Sequence, residues 1–314
     1  MIDCFEEKNS EHMNNTNSVI FSIIIPTYNR AEKLQRALDS VASQTFPDYE
    51  VIVCDDGSRD HTQQVINIYS RKMDLKFILG KHWGGPARPR NNGLKIARGE
   101  FVAFLDADDW WYPNKLEEAN KYLYDADFVY HDLDVYTQRG KRGTQKVKGR
   151  HLRSPKFVDL MKNENAIINS SAVIRRSVLN LAGELDEDRN LISVEDFDLW
   201  LRVAKITEKF SYIPKSLGAY WMDCDNISMA SEKLVRRVKS IYNKHLASLS
   251  DADKAQAEMI MSYLIGRTKQ KLGLTREAVG FFKKSIKSKN LKYKLRSLFL
   301  LITSGFKLFF RISA

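Results

Sequence analysis

Cysteine is scarce in this chain of 314 residues: there are three, Cys4, Cys54 and Cys224, far apart in sequence. That spacing gives neither a disulfide framework nor a zinc site, and it points to a reducing cytosol. Long apolar runs are missing too. No stretch reaches the roughly 18 uncharged apolar residues that span a bilayer. The first twenty residues carry Asp3, Glu6, Glu7 and Glu11 and no apolar run, which excludes a secretory signal there. No Walker A lysine motif occurs anywhere, and no G-x-G-x-x-G follows the first apolar strand, so neither familiar phosphate-cradling glycine loop is available. What is present is ordinary for a globular chain: 43% hydrophobic and 28% charged residues, which excludes disorder and collagen-like architecture. The length fits one large domain with an appendage, or two domains.

Charge is distributed unevenly. The 50 Lys and Arg against 39 Asp and Glu give a net +11. From Met229 to Ala314 there are 19 basic and 5 acidic residues, net +14, which leaves −3 for the 228 residues before them. A near-neutral body with a basic tail suits an anionic surface, whether nucleic acid, acidic lipid or an acidic partner; a well-solvated helical face is the other reading.

Along the chain, β-branched apolar runs alternate with helical spacing. Strands are expected at Phe21–Ile25, Glu50–Cys54, Leu75–Leu79, Phe101–Leu105 and Phe128–Tyr130. Helices are expected over Ala31–Gln44, near Thr62–Ser70, up to about Ala97, and from Pro113 as a first helical residue. The alternation predicts an α/β fold, a mostly parallel central sheet with helices on both faces, with ligands beyond the carboxyl ends of the strands. Residues 137–155 are basic and patternless and read as a loop. Further on, strands are expected near Ala172–Arg175, Phe210–Ile213 and Gly218–Trp221, and helices near Phe157–Lys162 and from about Val194. From Met229 everything reads helical, with a hairpin around Gly273 that resembles a single tetratricopeptide-like unit. The expected organisation is a polar lead over 1–19, a body over 20–228 with halves at 20–135 and 136–228, and a basic helical region over 229–314.

Three strands end in polar punctuation: Pro26-Thr27-Tyr28-Asn29, Asp55-Asp56 and Asp106-Ala107-Asp108. Two carboxylates two residues apart on an extended strand point the same way. A few hard oxygen ligands suit Mg²⁺ or Mn²⁺, with phosphate oxygens completing the shell; strand-end acids also serve as turn or cap residues. The loop His82-Trp83-Gly84-Gly85-Pro86-Ala87-Arg88-Pro89-Arg90 brings guanidinium groups and a helix start, both suited to a diphosphate. Glu195 and Asp196 fall in the first turn of a helix whose apolar face is Phe197, Trp200, Leu201 and Ala204. Acids there are favoured by the helix dipole, or serve as a general base on a rigid support.

Taken together, Ile25-Pro26-Thr27-Tyr28-Asn29-Arg30, Gln44-Thr45-Phe46, Val53-Cys54-Asp55-Asp56-Gly57-Ser58, the Gly-Gly-Pro loop, Leu105-Asp106-Ala107-Asp108-Asp109-Trp110 and Glu195-Asp196-Phe197-Asp198-Leu199-Trp200 resemble the family 2 glycosyltransferases of the GT-A fold, of the bacterial cell-surface polysaccharide type. The resemblance covers roughly 21–228. It implies an inverting transfer from a nucleotide-sugar, usually a UDP-sugar, to a glycan or glycolipid acceptor. It implies that Pro26, Thr27, Tyr28 and Arg30 belong to the donor pocket and that Asp56 accepts from uracil. Arg90 approaches uracil or phosphate, Asp106 and Ala107 lie at ribose or metal, and Asp108 holds the metal. Asp196 is the implied base, with Glu195 as the fallback. Many family members carry an arginine and a metal-binding histidine after the last core strand. Here Trp221 and Asp223 stand in what look like those places, so Asp223 is a candidate third ligand.

The tail gathers Lys283, Lys284, Lys287, Lys289, Lys292, Lys294 and Arg296 before Leu298–Ile302, Phe306, Leu308, Phe309 and Phe310. Cations beside an apolar stripe over 290–312 suit a helix lying in an anionic leaflet, at the cytoplasmic face of the membrane. Packing on the preceding hairpin or in a homo-oligomer is the alternative. Two other functions fit the same residues. One is nucleic-acid binding by the tail, for which no recognition motif exists and no nucleic acid is expected. The other is an inactive nucleotide-sugar-binding scaffold, against which the intact acidic set argues.

Overall fold

The computed structural model describes residues 19–223 and 229–312, with side chains as far as Ser304; the polar lead, the segment 224–228 and the side chains of Phe306, Leu308, Phe309 and Phe310 lie outside the described residues. The first apolar runs form β1 (Phe21–Thr27), β2 (Tyr49–Asp55), β3 (Leu75–Leu79) and β4 (Phe101–Phe104), paired in parallel in the order β3-β2-β1-β4. Successive side chains of a strand serve opposite faces. Accordingly Ile24, Ile52, Val102 and Phe104 belong to one apolar cluster, and Ile23, Ile25, Val51, Val53 and Ala103 to the other. Strands buried on both faces need helices on both. α1 (Ala31–Ala42) and α2 (Thr62–Tyr69) join the second cluster, and α3 (Ala87–Ile96) seats against β1 and β2. A Cβ on Gly93 of α3 would lie 2.9 Å from both Cys54 Sγ and Ile24 Cγ2. Glycine is what permits that approach.

Beyond β4 the sheet becomes mixed. β5 is Trp110–Trp111, α4 Lys115–Leu123, β6 Phe128–Thr137, β7 Gly140–Val147, α5 Lys156–Asn163, β8 Val173–Arg175, α6 Arg176–Ala182, α7 Glu195–Val203 and β9 Phe210–Trp221. β8 pairs antiparallel with β4 and β6, β9 runs parallel to β6, and the end of β9 folds back antiparallel onto β5. The mostly parallel expectation thus describes the β3-β2-β1-β4 half.

Three local expectations are corrected. The supposed loop 137–155 contains β7, hairpinned onto β6 with both faces of the strand in solvent; a strand that buries neither face has no apolar alternation to betray it. The two strands expected at 210–213 and 218–221 are one strand, with Pro214 at a register shift that separates the pairs His131–Ile213 and Asp132–Ser216; a bulge is where a sheet tolerates proline. Helix α4 starts at Lys115, two residues after Pro113. The Gln44 side chain bridges this start, taking the Leu116 N–H at 3.0 Å and donating to the Tyr112 carbonyl at 2.9 Å.

The basic region forms α8 (Glu232–Leu246), α9 (Asp251–Lys271), α10 (Thr275–Ser285) and α11 (Leu291–Ile312). The α9–α10 turn carries Gly273 at φ +77°, the left-handed conformation that suits glycine at a helix end. Val235, Ile241, Tyr242, Tyr263 and Tyr293 from these helices share one continuous core with Phe128, Phe157 and Trp200. α8 is also bolted to α7: the fully buried Asp198 accepts from His245 Nε2 at 2.9 Å, Lys244 Nζ at 2.7 Å and Arg202 Nε at 2.9 Å.

Candidate active site

The carboxyl ends of β1, β2 and β4 open into a cleft of about 660 Å³, closed on the far side by residues 165–169 and the start of α7. Pro26, Thr27, Tyr28, Arg30, Asp56, Arg90, Asp106, Ala107, Asp108, Glu195 and Asp196 all line it. Topology explains the convergence, because parallel strands place all their C-terminal loops at one edge.

At one end, the Tyr28 ring, 38% exposed, stacks on His82 with centroids 4.1 Å apart. His82 Nδ1 lies 3.1 Å from Asp56 Oδ2, and the two Asp56 oxygens accept the backbone N–H of Trp83 and of Gly84, each at 2.8 Å. Asp56 thus shapes the Gly-Gly-Pro loop as well as facing the cleft. Gly57 turns the chain away at φ +86°, where a Cβ would sit 3.1 Å from His82 N. In the sequence His82 is only one residue of the loop; its stack needs a contact between residues 54 positions apart, which spacing does not reveal.

In the middle lie the acids. Arg90 is 3% exposed and joins two carboxylates: Nη2 to Asp106 Oδ1 and Nη1 to Glu195 Oε1, both 2.6 Å. Burial works against its charge, but Asp106 and Glu195 hold it protonated. Its terminal nitrogens are therefore committed to the protein, and it fastens the start of α7 to the end of β4. Asn169 Nδ2 also donates to Asp106 Oδ1, at 2.9 Å. Asp108 pairs with Arg30, while burial pushes its carboxyl upward against that pairing. Buried Asp109, raised well above the carboxylate range by burial and then by Asp108 and Asp106, takes the Ser170 hydroxyl at 2.6 Å and the Trp221 N–H at 2.8 Å. It is a tie between three segments.

Asp196 stands at the cleft wall, its Oδ1 accepting its neighbour Phe197 N–H at 2.7 Å. Burial first, then the Glu195 carboxylate, push it up to about 7, with Arg90 pulling the other way. Asp223 is elsewhere. It is not on the cleft wall, and Lys33 Nζ and Trp221 Nε1 both donate to its Oδ2 at 3.3 Å. Among the described residues no three His, Cys, Asp or Glu side chains come close enough to hold a metal as a set. Asp106, Asp108 and Asp223 thus do not form such a set, although Lys33, which bonds Asp223, also acts on Asp108.

Four buried polar atoms on residues of this wall have no partner in the protein: Thr27 Oγ1, Arg90 Nε, Asn169 Oδ1 and Glu195 Oε2. Buried polar groups are nearly always satisfied, so these atoms are available to a bound group, although seven others lie elsewhere among the described residues.

The family model described as "Glycosyl transferase family 2" matches residues 22–181. The chain belongs to glycosyl transferase family 2. Among similar family members, the poly(ribitol-phosphate) beta-N-acetylglucosaminyltransferase TarP of Staphylococcus aureus (strain N315) is 31% identical over 243 residues, 74% of this chain and 71% of TarP. TarS of S. aureus (strain Mu50), named for the same activity, is 34% identical over 179 residues, 56% of this chain but only 31% of TarS. The Escherichia coli UDP-Glc:alpha-D-GlcNAc-diphosphoundecaprenol beta-1,3-glucosyltransferase WfgD is 30% identical over 190 residues, 59% of this chain and 70% of WfgD. The crystal structure of S. aureus TarS residues 1–349 with UDP-GlcNAc superposes with TM-score 0.60 at 22% identity, over 91% of this chain and 89% of that one. The likeness establishes a shared GT-A-type fold, including the helical region that follows the sheet.

Proposed function

We propose that this chain is an inverting glycosyltransferase that moves a hexosyl or N-acetylhexosaminyl group from a UDP-sugar to a hydroxyl of a lipid-linked or polysaccharide acceptor. The observation that carries this is the single cleft in which the strand-end acids, the Tyr28–His82 stack and Asp196 meet, with four unpartnered polar atoms on its wall. The relatives support the donor class: WfgD is named for UDP-Glc, and TarS has been crystallised with UDP-GlcNAc.

In this reading the base stacks on the Tyr28 and His82 end, and Asp56 accepts from it. The acceptor hydroxyl attacks the anomeric carbon from the face opposite UDP. As that C–O bond forms, Asp196 takes the hydroxyl proton and the bond from the anomeric carbon to the UDP oxygen breaks. A carboxyl near 7 is half-ionised at neutral pH and is a stronger base than an ordinary aspartate. Glu195 is the poorer candidate, since one of its oxygens is spent on Arg90. The departing diphosphate gathers charge, which Arg30 on the cleft wall meets. Asp106 and Asp108 would supply hard oxygen donors of the kind Mg²⁺ or Mn²⁺ prefers. A bound ion would neutralise the diphosphate.

Support for an acceptor that carries phosphate comes from the β6–β7 hairpin. Residues 137–150 contain six cations and no acid; Lys141 and Lys146 pair with Asp134 and Arg150 with Asp159, while Arg139, Arg142 and Lys148 form no ion pair among the described residues, and Val147 and Lys148 border the cleft. TarP and WfgD are named for phosphate-bearing acceptors. Residence at the cytoplasmic face of the membrane belongs to the same reading, since a lipid-linked acceptor would be met there.

The deciding experiment is UDP release across a panel of UDP-sugars with Mn²⁺. Slow donor hydrolysis by the wild type, accelerated by a phosphate-bearing acceptor and abolished in Asp196→Asn, is the expected result. No release with any UDP-sugar, or release undiminished in Asp196→Asn, would overturn the assignment.

A further inference from the structure

Helix α11 is amphipathic in the wrong sense for a core helix. The side that faces α9 and α10 mixes hydroxyls with a little apolar surface: Tyr293, Ser297 and Ser304 are fully buried, Leu300 packs partly buried against the core, Ser297 bonds Ser285 at 2.7 Å, and Gln270 Nε2 donates to Ser304 at 3.2 Å. The side in solvent is the apolar one. Leu291 is 65% exposed, Leu295 55%, Leu298 43%, Phe299 64% and Ile302 51%. At about 100° per residue these five fall within an arc of roughly 100°, directly opposite the buried serines. Lys294 flanks the arc on one side, Lys292 and Arg296 on the other. On the Arg296 side the helix borders a cleft of about 280 Å³ with Arg267 and Lys271 on its wall. None of those three cations forms a salt bridge among the described residues, and Glu164 is the one carboxylate present. After Glu277 the chain has nine Lys or Arg and no acid.

We propose that α11 is a membrane-docking helix: its Leu291–Ile302 stripe enters the interface of an anionic bilayer, and the Arg267, Lys271 and Arg296 cleft takes a lipid phosphate headgroup. An exposed apolar stripe of this size requires a cover. Charge complementarity decides which. A second copy of the chain would bring the same cations against these, and like charges facing each other across a two-fold axis repel. Nucleic acid matches the cations but gives leucines and a phenylalanine nothing to bury against. A leaflet of acidic lipid satisfies both, with long basic side chains reaching back to the headgroups while the stripe sits below them. No helix among the described residues is long and apolar enough to cross a membrane, so the mode is lying on the surface. The inference goes beyond the transferase reading and does not depend on it.

The test is co-sedimentation of the full chain with vesicles, without donor or acceptor. One set is pure phosphatidylcholine, the other one-third phosphatidylglycerol. Preferential binding to the anionic set is expected, weakened by salt as screening shortens the reach of the cations. Leu295→Ser with Phe299→Ser should lower partitioning tenfold or more at unchanged charge. Arg267→Gln, Lys271→Gln and Arg296→Gln together should remove most of the preference for phosphatidylglycerol. These positions lie on the surface, and circular dichroism with a thermal melt reports that the variants are folded. Equal binding to both vesicle types, or no loss in the Leu295/Phe299 variant, would overturn the proposal. So would a dimer in light scattering that the same variant dissolves, because the stripe would then be a self-association face.

Discussion

Burial and the Glu195 carboxylate raise Asp196 to about 7, and from this follow two expectations of opposite sign. Turnover should climb with pH along a limb whose midpoint is near 7, as the base ionises, and Asp196→Asn should lower it by about two to four orders of magnitude. Stability should run the other way. An aspartate whose folded value exceeds its unfolded value near 3.9 binds more protons when folded, so stability is lost as pH rises from about 4 through 7. Asp196→Asn should therefore melt higher than wild type at pH 8 and lose that advantage at pH 4; thermal melts at the two pH values check this, and a lower melting point at pH 8 would contradict it. Arg90 yields a different kind of prediction. Arg90→Met leaves Glu195 buried without its partner, which costs roughly 3–5 kcal/mol. Denaturant titration should show that loss, and adding Glu195→Gln should restore much of it. The role of Arg90 could not be read from the chain. The loop reads as basic and the resemblance implies a contact of Arg90 with uracil or phosphate, but the Glu195 partner of its guanidinium lies 105 positions away.

Elements differ in how much of them the chain reveals. β1, β2 and β4 were legible because strands buried on both faces become unbroken apolar runs, and the polar residues that stop them are the site itself. β7 was illegible because nothing covers it. Its exposure is also its use in the proposed reaction: Lys148→Glu should raise KM for a phosphate-bearing acceptor several-fold while leaving donor hydrolysis as it was, since the charge sits at the cleft border and touches no strand-end acid. An unchanged acceptor KM would remove the hairpin from acceptor recognition. The end of α7 was legible as an apolar stripe, whereas the grip of Lys244 and His245 on Asp198 was not, because a buried aspartate inside Asp196-Phe197-Asp198 looks like one more site acid. That grip sits two residues from the proposed base, so the helices after 228 hold the helix that carries it in place.

For the molecule as a whole, the near-neutral body and the basic tail differ in charge yet share one core. Removing residues 229–314 would uncover Phe157, Trp200 and their neighbours, and the shortened chain should aggregate, as size-exclusion chromatography would show. A monodisperse, active 1–228 fragment would contradict the shared core. Divalent metal is a second whole-molecule lever. Excess chelator should abolish transfer and leave the melting temperature almost unchanged, because Asp106 and Asp108 already have Arg90 and Arg30 beside them; full activity in chelator would dismiss the ion. The bulge at Pro214 has a further consequence. Downstream of it, β9 must present Leu217 and Ala219 inward and deliver the Trp221 amide to Asp109. Adding or deleting one residue between 213 and 217 would turn that half-strand inside out. In any lineage this stretch should therefore keep its length and its inward apolar positions Ile213 and Leu217, like a measured spacer between the far edge of the sheet and the cleft.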